Sequence, residues 1–179
     1  MLNLLNLTKF ANRFINNYTL FKQKLTPLAA IPKIKHYCSY QERSHKEVKD
    51  KLYSLGLNKL EVETMISTLI EEDYLNEERF TQQFVGGKFR LKQWGKIKIK
   101  YELKLKGVSE YNIKKGLTII SDNDYSATLL KLATAKWKLL KTEQYIHREI
   151  KTTNYLMQKG YEPVLIKATI QLLKEKAPK

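Results

Sequence analysis

The sequence holds one cysteine, Cys38, which excludes an intrachain disulfide and fits a reducing compartment. His36 stands two residues before it, but no second Cys/His pair exists to complete a zinc site, so Cys38 reads as a small core residue. Histidine is scarce too. His36, His45 and His147 have no metal-ligand spacing and no recognisable nucleophile beside them, and the carboxylates read as surface partners or helix starts, so neither an enzyme nor a cofactor is expected. No run of 18 apolar residues occurs, and a membrane span is not expected. Seven glycines and four prolines in 179 residues, beside abundant Leu, Lys, Ile and Glu, argue against a turn-rich β fold and for helices. Acidic residues are few for the number of bases: 18 against 33 leaves a net charge of +15. Such a surface attracts nucleic acid, an acidic protein face or an anionic membrane. The plain alternative is a set of solvated lysine-rich helices.

What the sequence does have is a threefold pattern. Taking Gly56, Gly107 and Gly160 as origins, leucine lies four residues before each, at Leu52, Leu103 and Leu156. Leu57, Val108 and Tyr161 directly follow. Beyond the turn come Val62, Ile113 and Ile166, then Ile66, Leu117 and Ile170, then Leu69, Ile120 and Leu173. Steps of four and three residues trace one face of an α-helix. Each glycine suits the left-handed position that ends a helix. Asn58 and Ser109 are good N-caps for the helix that follows, and Pro163 fits a first helical position. The third copy is weaker, with Thr152 where Val48 and Ile99 stand in the others; terminal repeats are often atypical.

The expected fold is therefore all-α: three tandem three-helix repeats in an elongated, curved array, with boundaries at 26–73, 74–120 and 121–179. Residues 1–25 contain no acid and mix leucine, phenylalanine and asparagine. They lack a secretory signal's layout and read as a partly helical, poorly packed extension. Pro27 and Pro32 bracket a short segment leading into a helix from Pro32 to Glu42. Helices are then expected from Ser44 to Ser54, with Ser44 and Glu47 as a capping box, from Lys59 to Glu71, and from Asn76 to near Trp94-Gly95. Gly86 and Gly87 inside this last helix each carry a penalty of about 1 kcal/mol relative to alanine, so either the helix bends there or another chain approaches its backbone. Lys96 to Lys106, Glu110 to Ile120, a long helix after Ser121, Glu143 to Lys159 and Pro163 to Lys174 complete the array.

Gly86-Gly87-Lys88 is not a phosphate loop, because Gln82 and Phe89 occupy positions where that motif needs glycine and Ser or Thr. The informative cluster is Lys88 to Lys115, with ten bases against Glu102 and Glu110, a net +8 in 28 residues. Lys96, Lys100 and Lys104 recur every four positions and can make one helical face strongly positive. Trp94, Tyr101 and Tyr111 are interleaved with these bases and could stack on nucleobases, although aromatics at helical spacing more often belong to a core.

Four stretches together resemble the RecX family of bacterial recombinase regulators: KIKHYCSYQERSHKEVKDKLYSLGL from Lys33 to Leu57, YLNEERF from Tyr74 to Phe80, FVGGKFRLKQWGKIKI from Phe84 to Ile99 and ELKLKGV from Glu102 to Val108. The resemblance implies a curved all-α molecule of three tandem three-helix units. It also implies a regulator that binds the RecA filament on single-stranded DNA, lodges in its groove and suppresses ATP hydrolysis and strand exchange, with roles in homologous recombination, DNA repair and the SOS response. The extension of about 25 residues and Gly87 beside Gly86 depart from the family pattern. On this reading the contact residues are Arg43, Arg79, Lys88, Arg90, Lys92, Lys96 and Lys100, the partners are RecA and single-stranded DNA, and the protein is a cytoplasmic monomer. The rival is a helix-turn-helix DNA-binding protein. A recognition helix usually presents Arg, Asn or Gln. The second helix of the first hairpin offers mainly Glu61, Glu63, Glu71 and Glu72, whereas Glu110 to Ile120 stays eligible.

Overall fold

The computed structural model describes residues 24–175, so the expected partly helical extension lies almost wholly outside the described residues. Among those, nine helices and no strand occur: α1 Pro27–Tyr40, α2 His45–Ser54, α3 Lys59–Glu71, α4 Glu77–Lys92, α5 Lys96–Leu105, α6 Glu110–Leu117, α7 Asp122–Leu139, α8 Tyr145–Lys159 and α9 Pro163–Glu175. They form the all-α series of three-helix groups that the repeat predicts. Contacts gather the chain into two compact units. One comprises the residues up to Gln41 with Lys46–Leu75; the other comprises Glu42–His45 with Asn76 onward.

In the first unit, α1 starts at Pro27, five residues earlier than expected. The Thr26 hydroxyl accepts a hydrogen bond from the Ala29 N–H at 3.3 Å, and Pro27 occupies the first turn. Pro32 therefore lies within the helix instead of opening it. It forgoes the bond to the Leu28 carbonyl, in the second turn. Ala30, Ile34 and Cys38, four residues apart, are buried with Val48 and Leu52 of α2 and Val62, Met65, Ile66 and Leu69 of α3. Asn58 begins α3 with a reciprocal capping box: its side chain accepts from the Glu61 N–H at 3.0 Å while the Glu61 carboxylate accepts from the Asn58 N–H at 2.8 Å.

The second unit has its own core, to which α4 gives Phe80 and Val85, α5 Ile99 and Leu103, α7 Tyr125, Leu129, Leu132, Ala133 and Trp137, and α9 Ile166, Ile170 and Leu173. Across both units the three repeat leucines, Leu52, Leu103 and Leu156, are fully buried. The three repeat glycines take left-handed backbone, φ +93°, +74° and +88°. The weak third copy is repaired locally: Thr152 is as buried as Val48 and Ile99, and its hydroxyl donates to the Arg148 carbonyl at 2.8 Å, satisfying a polar group that burial would otherwise penalise. Helix α6 ends at Leu117, three residues short of expectation.

Three ties lock this unit. Gly95 lies so near Gly160 that a Cβ on it would stand 2.1 Å from the Gly160 oxygen. The Gly95 N–H donates to the Lys159 carbonyl at 2.8 Å, and the Ile97 N–H to the Gly160 carbonyl at 3.1 Å. The buried Tyr125 hydroxyl accepts from the Lys96 N–H at 2.8 Å and donates to Glu162 at 2.7 Å. A single carboxylate, Glu77 at the start of α4, accepts from the Ser109 hydroxyl and the Asn112 amide at 2.7 and 2.5 Å, tying α4 to the N-terminus of α6.

Candidate functional site

The basic cluster falls on α4, α5 and α6 and the turns joining them. Helix α4 is oriented by Asn76, whose side chain accepts from the Arg79 N–H at 2.9 Å, and by Glu77 and Glu78 in its first turn with Arg90 and Lys92 in its last. This distribution suits the helix dipole. Gln93 closes the helix in left-handed backbone at φ +53°, which turns Trp94 back so that its N–H donates to the Lys88 carbonyl at 3.3 Å. Gly56, Gly107 and Gly160 mark three other left-handed turns, but at Gln93, as at Asp73, no glycine signals one.

Most cations of the cluster are engaged within the fold. The Lys88 ammonium lies over the rings of Phe84 and Trp94, 5.0 and 5.1 Å from their centres, and Lys98 lies 4.8 Å from the Trp94 centre. Lys106 sits over Phe84. Lys96 pairs with Asp122 at 3.2 Å and stands over Tyr125. Lys100 and Lys104 share the Glu110 carboxylate, and both hold its pKa below the ordinary carboxylate value. Lys115 pairs with Glu78 at 2.7 Å, and that bond raises its pKa. The strongly positive face expected from Lys96, Lys100 and Lys104 is thus partly neutralised by Asp122 and Glu110. Among the described residues, three of the ten bases, Arg90, Lys92 and Lys114, are exposed with neither a carboxylate nor a ring against their charge.

The seven residues expected at the site are therefore in different situations. Arg90 and Lys92 face solvent at the end of α4. Lys88, Lys96 and Lys100 are half-buried and partnered as described. Arg79 is also half-buried, its Nε donating to Glu42 at 2.6 Å, and Arg43, next to Glu42 in the α1–α2 loop, has its Nε out of solvent. Surface ion pairs and cation–π contacts of this kind are each worth about 1 kcal/mol or less. A partner's carboxylates or phosphates can compete for Lys96 or Lys100, while Arg90, Lys92 and Lys114 need surrender nothing.

The aromatics divide differently from expectation. Trp94 packs against the core. Tyr101 and Tyr111 do not: they are 59% and 72% exposed. Helix α5 turns Ile99 and Leu103 inward, and with Ile97 it leaves Tyr101 outside. Exposed tyrosines beside lysines are surfaces on which bases stack. Among the described residues, no group of three or more His, Cys, Asp and Glu side chains is placed to hold a metal ion, and no helix is long and apolar enough to cross a membrane.

Residues 76–117, the part of the chain that carries this cluster, match the family model described as RecX, second three-helix domain. The regulatory protein RecX of Clostridium perfringens strain 13 is 34% identical over 122 residues, covering 67% of this chain and 57% of that protein. The regulatory protein RecX of Chlorobium phaeobacteroides strain BS1 is 32% identical over 130 residues, covering 73% of this chain and 83% of its own length. The chain belongs to the RecX family. Its RecX relatives are named as regulatory proteins. It spans little more than half the length of the Clostridium relatives it matches. The crystal structure of RecX from Lactobacillus salivarius superposes with a TM-score of 0.73 at 26% identity, over 80% of this chain and 93% of that one. A second RecX crystal structure, 20% identical with a TM-score of 0.72, shares the fold.

Proposed function

We propose that this RecX-family chain is a regulator, mainly an inhibitor, of the RecA recombinase. It binds in the groove of the RecA filament on single-stranded DNA and suppresses ATP hydrolysis and strand exchange by occupancy, acting as a cytoplasmic monomer. The observation that carries this reading is the match to regulatory RecX proteins across most of a relative's length, and it is supported by exposed, unpaired cations at the end of α4. Many modest contacts spread over several helices add up when they engage a repeating polymer. Arg90 and Lys92 are the leading charge partners for acidic filament residues or phosphates. Lys88, Lys96, Lys100, Arg43 and Arg79 contribute once their internal partners are displaced. The exposure of Tyr101 and Tyr111 favours, in addition, direct contact with unstacked bases of the DNA strand.

Co-sedimentation with RecA filaments at two salt concentrations tests the charge assignment. Reversal of Arg90 and Lys92 together to glutamate weakens binding and flattens its salt dependence, since each lost phosphate or carboxylate contact removes its share of the electrostatic term. Unchanged binding and salt dependence in that variant would remove these two residues from the interface. Tight binding of the wild type to a specific duplex without RecA would favour a helix-turn-helix DNA-binding protein instead.

A further inference from the structure

We propose that the outward face of α4 centred on Gly87 seats a protein partner whose main chain comes into contact with the helix, and that this partner offers carboxylates and an apolar recess. The inference rests on the reading above, in which that partner is a protomer of the RecA filament.

Its basis is a contrast between two adjacent glycines. Gly86 is buried, and a Cβ on it would stand 2.9 to 3.2 Å from the Arg90 guanidinium, a flexible tip that folds back over it and can move aside. A Cβ on Gly87 would meet nothing within 4 Å. Helix α4 runs unbroken through Gly87, which is not among the residues with positive φ. Nothing in the described residues therefore calls for glycine there, although glycine is the poorer helix former. A missing side chain on an open helical face is of use where another backbone must come close.

The residues bordering Gly87, three and four positions away, are Gln83, Phe84, Arg90 and Leu91. Leu91 is 82% exposed, and Arg90 is exposed with no carboxylate against it among the described residues. A leucine gains nothing from a phosphate chain. A set of amide, leucine and guanidinium around a bare stretch of backbone suits a protein surface, and the exposed Arg90 and Lys92, with no carboxylate against them among the described residues, favour an acidic one.

Full-length wild type, Gly87→Ala and Leu91→Ala are compared for binding to RecA filaments assembled on single-stranded DNA, for binding to the DNA alone, and for thermal midpoint. Gly87→Ala is expected to raise the midpoint by about 4 °C or more yet weaken filament binding about tenfold, with DNA binding unchanged. Leu91→Ala is expected to weaken filament binding while leaving the midpoint in place. A lowered midpoint in Gly87→Ala, or wild-type filament affinity in both variants, overturns the inference while the filament reading stands. An equal loss on bare DNA assigns the face to nucleic acid and also overturns it. If the wild type itself fails to bind the filament, the underlying reading falls and takes the inference with it.

Discussion

Replacing Gly95 with alanine probes the contact that holds the second unit together. Gly95 has φ −75° and ψ 163°, ordinary extended backbone that alanine adopts freely, although alanine is the poorer N-cap, and its capping position alone would make the change worth up to about 1 kcal/mol. The space decides the outcome. The new methyl would stand 2.1 Å from the Gly160 oxygen, 2.3 Å from its carbonyl carbon and 2.5 Å from the Tyr161 nitrogen. All three are backbone atoms, so no rotamer change relieves the clash and the two turns must part. Parting stretches or breaks the 2.8 Å bond from Gly95 to Lys159 and the 3.1 Å bond from Ile97 to Gly160, each worth about 0.5–1.5 kcal/mol. Forced overpacking adds about 1–3 kcal/mol, for a total of roughly 2–6 kcal/mol. For a unit of this size each kcal/mol lowers the thermal midpoint by about 4–8 °C. A circular-dichroism melt of Gly95→Ala should therefore fall by about 10 °C or more, with the urea midpoint falling in step. A variant within about 0.5 kcal/mol of wild type would refute the reasoning, because it would mean the two turns are not in contact.

Tyr125→Phe should destabilise by about 1–3 kcal/mol, since it leaves the Lys96 N–H without its acceptor; a urea titration within error of wild type would contradict the buried hydrogen bond. Acid stability should depend on Glu77. Burial pushes its carboxyl up, but the hydrogen bonds from Ser109 and Asn112 outweigh that and leave it below the ordinary value of 4.5. A group depressed in the folded state contributes its full stability above its unfolded value and loses it as pH falls through the folded one. Glu77→Gln should accordingly be destabilised near neutrality and lose less than wild type between about pH 5 and 3. Parallel acid profiles for the two proteins would dismiss Glu77 as a contributor.

The repeat was legible because its signals are backbone and packing requirements. A left-handed turn wants glycine, and a buried hairpin wants leucine four residues before it and a stripe of three apolar residues after it. Those positions are buried in all three copies, apart from Leu117, which is half-buried. Helix starts set by Asn58, Asn76 and Ser109 were legible for the same reason. The start of α1 was not. A proline is a helix opener or an interior defect depending on whether the preceding turn is capped, and Thr26 capped it at Pro27. Ion pairs such as Lys100 with Glu110, and the exposure of Tyr101 and Tyr111, depend on how neighbouring helices rotate against each other, which periodicity within one helix does not contain. The same limit hid the meeting of Gly95 with Gly160, whose partners are 65 residues apart.

The most direct test of the functional account is hydrolysis of ATP by RecA on single-stranded DNA while this protein is titrated in. The account predicts a progressive, saturable fall in the rate, with the DNA-free reaction unaffected. A rate that stays level through a stoichiometric excess of the protein would contradict it.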